Sequence, residues 1–324
     1  MIRIDVGLEK QVKSGLPVDQ LKDALAHVDQ IVWMDIQDPG ETDWFVLSEI
    51  FHFHTLAMED ARKQNQRPKI DPYDGYLFLT LRTWRDFQTA TDDLTEVTSE
   101  LDVFLGPNYL VTLHRGACAP TELARRRWEQ RSEWMPNQSG FLLYLLFDNI
   151  VDSFFPAMDI LDKEIDVLET AIYAQGAAID ILTALTLRKR LLLLRQTIAP
   201  LHDMLNQLMR TGQPLLSATS RVYYQDVIDH TMRLVEQIDL HREIVNGIID
   251  AIMAQTNNRL NQVVKTLTGI STVLMSAALI ATVSTMNYTD TLNTHSPRGF
   301  WLVLGCMVVV AVGLWSYFRR IKWF

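Results

Sequence analysis

The sequence predicts an α+β membrane protein: an amino-terminal cytoplasmic α/β domain and a long stalk helix that continues into the first of two transmembrane helices. Three observations carry this reading. Charge is unevenly distributed: of 30 basic and 39 acidic side chains, only Asp290, Arg298, Arg319, Arg320 and Lys322 lie beyond Lys265, so residues 1–265 have a net charge of −12 and the last 59 residues +3. Two stretches carry no charge at all, the 24 residues between Lys265 and Asp290 and the 20 between Arg298 and Arg319. A helix rising about 1.5 Å per residue needs roughly 20 apolar residues to cross hydrocarbon, and both stretches suffice. Finally, no proline interrupts the chain between Pro214 and Pro297, where the only glycines are Gly247 and Gly269.

The elements divide the chain into an α/β domain over 1–135, a helical stalk region over 136–265, and a two-helix membrane domain over 266–324 with spans at about 266–286 and 299–318. In the first part, IVWMDI (31–36), GYLFLTLRTW (75–84), EVTSELDVFLG (96–106) and YLVTLHR (109–115) are rich in aromatic and β-branched residues and read as strands. Turn residues such as Pro39-Gly40, Asp74-Gly75 and Gly106-Pro107 separate them, and helical stretches near 19–28 and 42–64 interrupt them. From Gly140 the pattern changes. Leu142, Leu145, Leu146, Ile150, Phe154, Met158, Leu161, Ile165 and Leu168 recur at three and four, with Asp159, Asp162, Glu164, Asp166 and Glu169 on the other face. A second helix is expected over 178–211, and a third over 218–286 would be about 100 Å long, so it must pack against neighbours to be stable.

Charge and aromatics orient the spans. Phe300 and Trp301 sit at one end of the second span and Trp315, Tyr317 and Trp323 at the other, where interfacial aromatics belong. Arg259 and Lys265 precede the first span, and Arg319, Arg320 and Lys322 follow the second, so the positive-inside rule places both termini in the cytoplasm. The amino terminus has no apolar core of a cleavable signal. An acidic polar region argues against nucleic acid as a partner. With Cys118 and Cys306 alone, neither a disulfide framework nor a thiolate zinc site is available. No phosphate loop, catalytic triad or paired catalytic carboxylates stand out, so the sequence gives no support for an enzyme. Phe51-His52-Phe53-His54 offers two histidines one residue apart, a weak transition-metal pattern that also fits an ordinary amphipathic helix turn.

A step of 3.5 residues from Asp250 gives Asp250, Ala254, Asn257, Asn261, Val264, Thr268, Ser271, Met275, Ala278, Thr282 and Thr285, a row that is small or polar almost throughout. Small residues also let membrane helices pack closely, so a tight helix interface is one reading. A water-filled pore is the other, favoured because the row continues toward the cytoplasm as Asn and Asp. Two spans cannot enclose an aqueous route, so a pore needs a ring of copies of the chain. Asp250 would then form a ring of carboxylates, Asn257 and Asn261 rings of neutral amide oxygens, and Val264 with Leu267 an apolar collar able to gate by dewetting. Met275 lies in the same row and equally suits a helix bundle as a gap-filler.

The pieces WMDIQDP (33–39), MEDARKQNQRPKI (58–70), ELDVFLGPNYLVTLHR (100–115), YYQDVIDHTMRL (223–234), NRLNQVVKTLTGIST (258–272) and RRIKWF (319–324) together resemble the CorA family of magnesium and cobalt channels. The resemblance implies a funnel-shaped homopentamer in the inner or plasma membrane, with a pore lined by the first membrane helix and driven passively by gradient and potential. It also implies Mg2+ as the transported and regulatory ion, with Co2+ or Zn2+ as alternatives. The family's Gly-Met-Asn signature falls on Thr285-Met286-Asn287, so Asn287, flanked by Met286, inherits the ring at the mouth while Thr replaces Gly. Asp250 and Asn261 match the pore carboxylate and amide, and Met275 a pore constriction. Asp226 matches the intersubunit regulatory carboxylate. The partner of Asp226 is expected after the strand ending at Trp84, where Asp86 is one position out of register, and is left unassigned. The replaced Gly supports a second reading, a diverged member that anchors or regulates at the membrane without conducting Mg2+, or that carries zinc.

Overall fold

The structure is a computed structural model and describes residues 1–8, 11–64, 66–85, 94–130, 135–173, 180–212, 215–285, 297–321 and 323. The chain divides into two compact units, Met1–Ile248 and Ile249–Phe324. The first opens with strands β1 (Ile2–Gly7) and β2 (Val12–Ser14), helix α1 (Leu21–Ala26), strand β3 (Ile31–Gln37), and helices α2 (Glu41–Phe51) and α3 (Thr55–Lys63). Strands β4 (Lys69–Tyr73) and β5 (Tyr76–Trp84), helix α4 (Leu94–Val97), strands β6 (Thr98–Leu105) and β7 (Tyr109–His114) and helix α5 (Ala119–Glu129) follow. Then come α6 (Ser139–Asp152), α7 (Phe155–Tyr173), α8 (Ile181–Thr211) and α9 (Ala218–Thr285), and last α10 (Pro297–Arg320).

Among the described residues the strands form one seven-stranded sheet in the order β2-β1-β3-β7-β6-β5-β4. Only β3 and β7 pair in parallel; the other neighbours are antiparallel. The continuous apolar run of β3 is explained by its place between β1 and β7, buried on both faces. One face carries Ile4, Val32, Met34, Ile36, Phe78, Phe104 and Val111 in a core with Trp44 and Leu47 of α2 and Ala57, Met58 and Ala61 of α3. Phe53, between those helices, stacks on Phe104 at 4.0 Å. The β6–β7 turn works only because residue 106 is glycine: a Cβ there would sit 2.2 Å from the Tyr109 ring. His52 ends α2 in the left-handed conformation at φ 54°, and His54 caps α3 by accepting from Leu56 N at 3.2 Å. These two histidines are therefore helix punctuation, with His54 stacked on Tyr73 at 5.4 Å.

The other face holds charge. Arg125 of α5, 2 % exposed, places Nε 2.9 Å from Asp5 Oδ2 and Nη2 2.9 Å from Asp35 Oδ2. Its guanidinium lies 4.9 Å from the centre of the Trp33 ring. Thr112 donates to Asp35, and Trp33 Nε1 donates to Thr112 Oγ1 at 3.0 Å. His114 Nε2 is 3.4 Å from Asp35 Oδ1. Burial alone would raise the Asp35 carboxyl, but the hydrogen bond and charge of His114, with Thr112 and Arg125, hold it below the usual carboxylate range. His114 shows the reverse balance: burial disfavours its charge, Asp35 and the Gly116 carbonyl favour it, and the result lies above the ordinary imidazole value.

Helix α6 is buried at every position but its last, which is why its sequence is nearly all apolar. Ser139–Ile172 is long and apolar enough to cross a membrane, yet 78 % of its most apolar window is buried inside the protein. Tyr224 of α9 donates to the Gly140 carbonyl at 2.8 Å, and a Cβ at Gly140 would come 2.7 Å from the Leu215 carbonyl, so α6 and the start of α9 meet backbone to backbone. Ion pairs tie the long helices: Arg190 to Glu164 at 2.6 Å, Arg195 to Asp239 at 2.7 Å and His241 to Asp162 at 3.0 Å. Ala218–Ser284, which begins in the first unit, and Phe300–Arg320 of the second contain windows apolar enough to cross a membrane, of which 6 % and 0 % are buried. Helix α10 begins on Pro297 and ends on Arg319 and Arg320, the order that helix termini favour.

Replacing Arg125 by Met would leave Asp5 and Asp35 buried without their guanidinium. Removing one partner from such a pair costs roughly 3–5 kcal/mol. Denaturant unfolding of the full chain is expected to show a loss of that order for Arg125→Met; an unchanged midpoint would mean that α5 is held by its apolar contacts alone.

Candidate ion pathway and acidic cluster

Helix α9 carries the predicted row. It starts at Ser217, whose hydroxyl accepts from Ser220 N at 3.1 Å, an N-cap, and no proline interrupts it through Thr285. Up to Ile252 one face is buried, through Tyr224, Val227, Thr231, Leu234, Ile238, Val245, Ile248 and Ile252. Beyond that point the helix is largely uncovered. Asp250, Ala254, Asn257, Asn261, Val264, Thr268, Ser271, Met275, Ala278 and Thr282 are all exposed, whereas Thr266, Gly269, Val273, Ser276, Ile280 and Ser284 are partly or fully covered. The row is thus exposed, with Val264 52 % and Met275 72 %, as are the neighbouring faces of the helix at Leu260, Val263, Leu267, Ile270, Leu274, Leu279 and Val283. A hollow of about 480 Å3 follows this face, lined by Thr268, Ser271 and Met275 of the row and by Leu267 and Leu279 beside it.

Hydroxyls in this segment are satisfied within the helix. Thr272 donates to Thr268 O at 2.8 Å, Ser276 to Thr272 O at 2.8 Å, Thr282 to Ala278 O at 2.8 Å and Ser284 to Ile280 O at 2.7 Å. Such back-bonds let Ser and Thr lie in hydrocarbon without an orphaned donor. The helix reaches Thr285, so this β-branched residue has helical backbone where the family pattern has Gly. Met286, Asn287 and Asp290 fall outside the described residues.

Asp226 sits on the exposed side of α9, with a side chain 65 % exposed and His230 Nε2 3.9 Å from its carboxylate. The sequence did not single out its surroundings. Asp152, at the end of α6, is raised above the usual carboxylate range by burial and by the charge of Asp148, against Arg127 and His230, with Asp226 adding to the repulsion. Arg127 is paired with Asp148. Tyr144 is pushed up to about 12, by burial first and then by Asp148. His230 lies edge-on to Phe155, with ring centres 6.0 Å apart. Asp148, Asp152 and Asp226 therefore share one electrostatic neighbourhood inside the first unit, held in part by Arg127 and His230. The signal in the sequence was the i, i+4 pair of aspartates in FDNIVD, hidden in an otherwise apolar helix. Asp86 lies outside the described residues, and among the described residues no group of three or more His, Cys, Asp or Glu side chains is arranged to hold a metal ion. A divalent ion at Asp226 would need further oxygen ligands from a second chain or from water.

The comparisons with known proteins agree on one family. Residues 28–320 match the family described as CorA-like Mg2+ transporter protein. The cobalt/magnesium transport protein CorA of Thermotoga maritima is 31 % identical over 294 residues, 90 % of this chain and 83 % of that protein. The cobalt/magnesium transport protein CorA of Methanocaldococcus jannaschii is 23 % identical over 314 residues, 96 % of this chain and 97 % of that protein. The complete structure of the CorA magnesium transporter from M. jannaschii superposes with a TM-score of 0.80 at 22 % identity, over 100 % of this chain and 99 % of that one, and so shares its fold. With nine-tenths of its length matched by a relative above 30 % identity and the family pattern running from the sheet to the last helix, the chain belongs to the CorA-like Mg2+ transporter family.

Proposed function

We propose that the chain forms a passive channel for divalent cations, Mg2+ foremost, with five copies arranged so that the bare face of α9 lines a common pore. The observation that carries this reading is the uncovered row from Asp250 to Thr282 on a single unbroken helix. Polar groups at membrane depth need water or each other, and a ring of copies supplies both. In this arrangement Asn287 forms the outer ring that holds a partly hydrated ion, with Met286 beside it. Met275 narrows the pore, Val264 and Leu267 form the apolar collar, and Asn261, Asn257 and Asp250 hand the ion to the cytoplasm. Both termini face the cytoplasm of a bacterial inner membrane. An inside-negative potential of 100 mV would draw a divalent ion inward with roughly 4.6 kcal/mol, so no nucleotide is required.

Asp226 is the regulatory carboxylate in this proposal, with Asp152 and Asp148 raising the local negative potential that attracts Mg2+. The names of the relatives support Mg2+ and Co2+ as cargo. The helical Thr285 in place of Gly favours a second reading, a member with altered ion choice that carries zinc or no longer conducts Mg2+ and serves instead as a membrane-anchored regulator.

Three outcomes test the proposal. In mild detergent the purified protein should have the mass of five chains, and a monomer would remove the pore. In liposomes it should pass Mg2+, Co2+ or Zn2+; Asn287→Ala should abolish the flux and Thr285→Gly should shift it toward Mg2+. Flux through Asn287→Ala equal to wild type would move the selective ring elsewhere. Mg2+ should protect the cytoplasmic region from proteolysis, and Asp226→Ala should weaken that protection; equal protection in both would make Asp226 an ordinary surface charge.

A further inference from the structure

On the sheet face covered by α2 and α3, the apolar core gives way at one end to carboxylates. Asp102 of β6 is 2 % exposed and lies opposite Thr80 of β5, whose hydroxyl donates to it at 2.9 Å. Glu100, two residues along the same strand and 7 % exposed, accepts from Gln66 N at 2.8 Å. Two cations border the pair, and Arg82 stands directly opposite Glu100 in the β5–β6 register. Lys69 of β4 is held by Asp60 of α3 at 2.5 Å and by Asp71 at 2.8 Å, and it lies 5.7 Å from the centre of the Phe78 ring. Arg82 of β5 directs Nη1 to Thr98 Oγ1 at 3.0 Å and Nε and Nη2 to the Gln66 carbonyl at 3.3 and 3.2 Å. On the β7 side, Asp102 is aligned with apolar Leu113.

The contrast with the opposite face is direct. Asp5 and Asp35 each face the Arg125 guanidinium, whereas Asp102 has a hydroxyl and, two residues away, a second carboxylate. A buried carboxylate without a cation costs several kcal/mol, and a proton removes that cost. Burial first, then the charge of Glu100, push the Asp102 carboxyl up to about 8, with Asp60 adding to the rise and Thr80 and Lys69 opposing it.

We propose that Asp102 is a proton-operated switch in the cytoplasmic sheet, whose ionised form loosens α3 and the edge strand β4. Ionisation would place a second buried negative charge beside Glu100, under the Asp60–Lys69–Asp71 cluster that ties α3 to β4. The switch is independent of which ion is carried and of the number of chains. It makes the cytoplasmic unit sensitive to internal pH through the proton that Asp102 holds.

The sign follows from linkage. An unfolded Asp titrates near 3.9, so between about that pH and about 8 the folded chain keeps a proton that the unfolded chain has lost. The stability contributed is complete in acid, falls by up to about tenfold in the folding equilibrium per pH unit, and levels off above the folded value. The experiment is denaturant unfolding of the full-length protein in detergent from pH 5 to 9, comparing wild type, Asp102→Asn and Thr80→Val. His114 on the other face also binds its proton tightly, but it is common to all three chains and cancels in the comparison. Wild type should lose stability relative to Asp102→Asn up to about pH 8 and then run parallel to it. Thr80→Val, which removes the donor that favours the ionised form, should move that levelling point to higher pH. Amides of Thr55–Lys63 and Lys69–Tyr73, corrected for intrinsic exchange, should lose protection in wild type by up to about a hundredfold more than in Asp102→Asn between pH 6 and 9. Parallel profiles in wild type and Asp102→Asn overturn the switch. If Asp102→Asn does not fold, a levelling point unmoved by Thr80→Val overturns it.

Discussion

An unsatisfied polar group in hydrocarbon costs several kcal/mol, and this constraint governs helix α9 and, through it, the rest of the chain. The backbone meets it by being helical without interruption from Ala218 to Thr285. Off-row hydroxyls meet it by bonding back to the carbonyl four residues earlier, as Ser276 and Ser284 do. Asp250, Asn257 and Asn261, whose amide and carboxylate groups have more hydrogen-bonding capacity than one helix turn can fill, precede Lys265 and so lie before the apolar stretch, where water can satisfy them. In the proposed ring, each row position would become a band of identical groups.

The first unit follows a different rule. Its sheet buries charge on both faces, but the two faces are built differently. Arg125 compensates Asp5 and Asp35 through directed contacts of 2.9 Å, which fixes α5 on the sheet. At the other end Glu100 and Asp102 lie two residues apart on β6, with buried Arg82 opposite Glu100 and Lys69 held by Asp60 and Asp71. The first arrangement gives rigidity, since the guanidinium fork specifies one geometry. The second leaves the local free energy dependent on proton concentration. A sheet with both features has a firmly pinned centre and a softer edge at β4, where α8 also touches it through Gln207 and the Ile70 carbonyl.

Much of this was legible in the sequence, and the reasons are specific. The strands at 31–37, 76–84, 98–105 and 109–114 are central or well buried, so their apolar runs are long and unmistakable. The edge strands β2 and β4 and the short β1 escaped notice because edge positions tolerate Lys, Asp and Pro, as KIDPY shows. The stretch read as one helix over 42–64 is two, split at His52 through His54, since a left-handed non-glycine residue leaves no clear mark in the sequence. Pro200 lies inside α8, where local rules would have favoured a break, because packing against neighbouring helices overrides a single missing N–H. The row on α9 was readable because helical period is a one-dimensional property. The neighbourhood of Asp226 was not, since Asp148 and Asp152 approach it only when α6 and α9 are brought together by the Gly140–Tyr224 contact.

Thr285 sets the limit on how far the family pattern can be carried to the mouth. A glycine before Met-Asn can adopt positive φ and let the chain turn early; a β-branched residue is effectively confined to negative φ and prolongs the helix, as α9 does to this point. Asn tolerates the left-handed conformation better than any β-branched residue, so position 287 can both end the helix and present its amide. Neutral amide oxygens in a looser ring bind a hydrated ion through its water and discriminate by size only weakly. In the proposed pore the replaced glycine would therefore bear on which divalent ion passes more than on whether a pore exists, because the row of α9 lies beneath it.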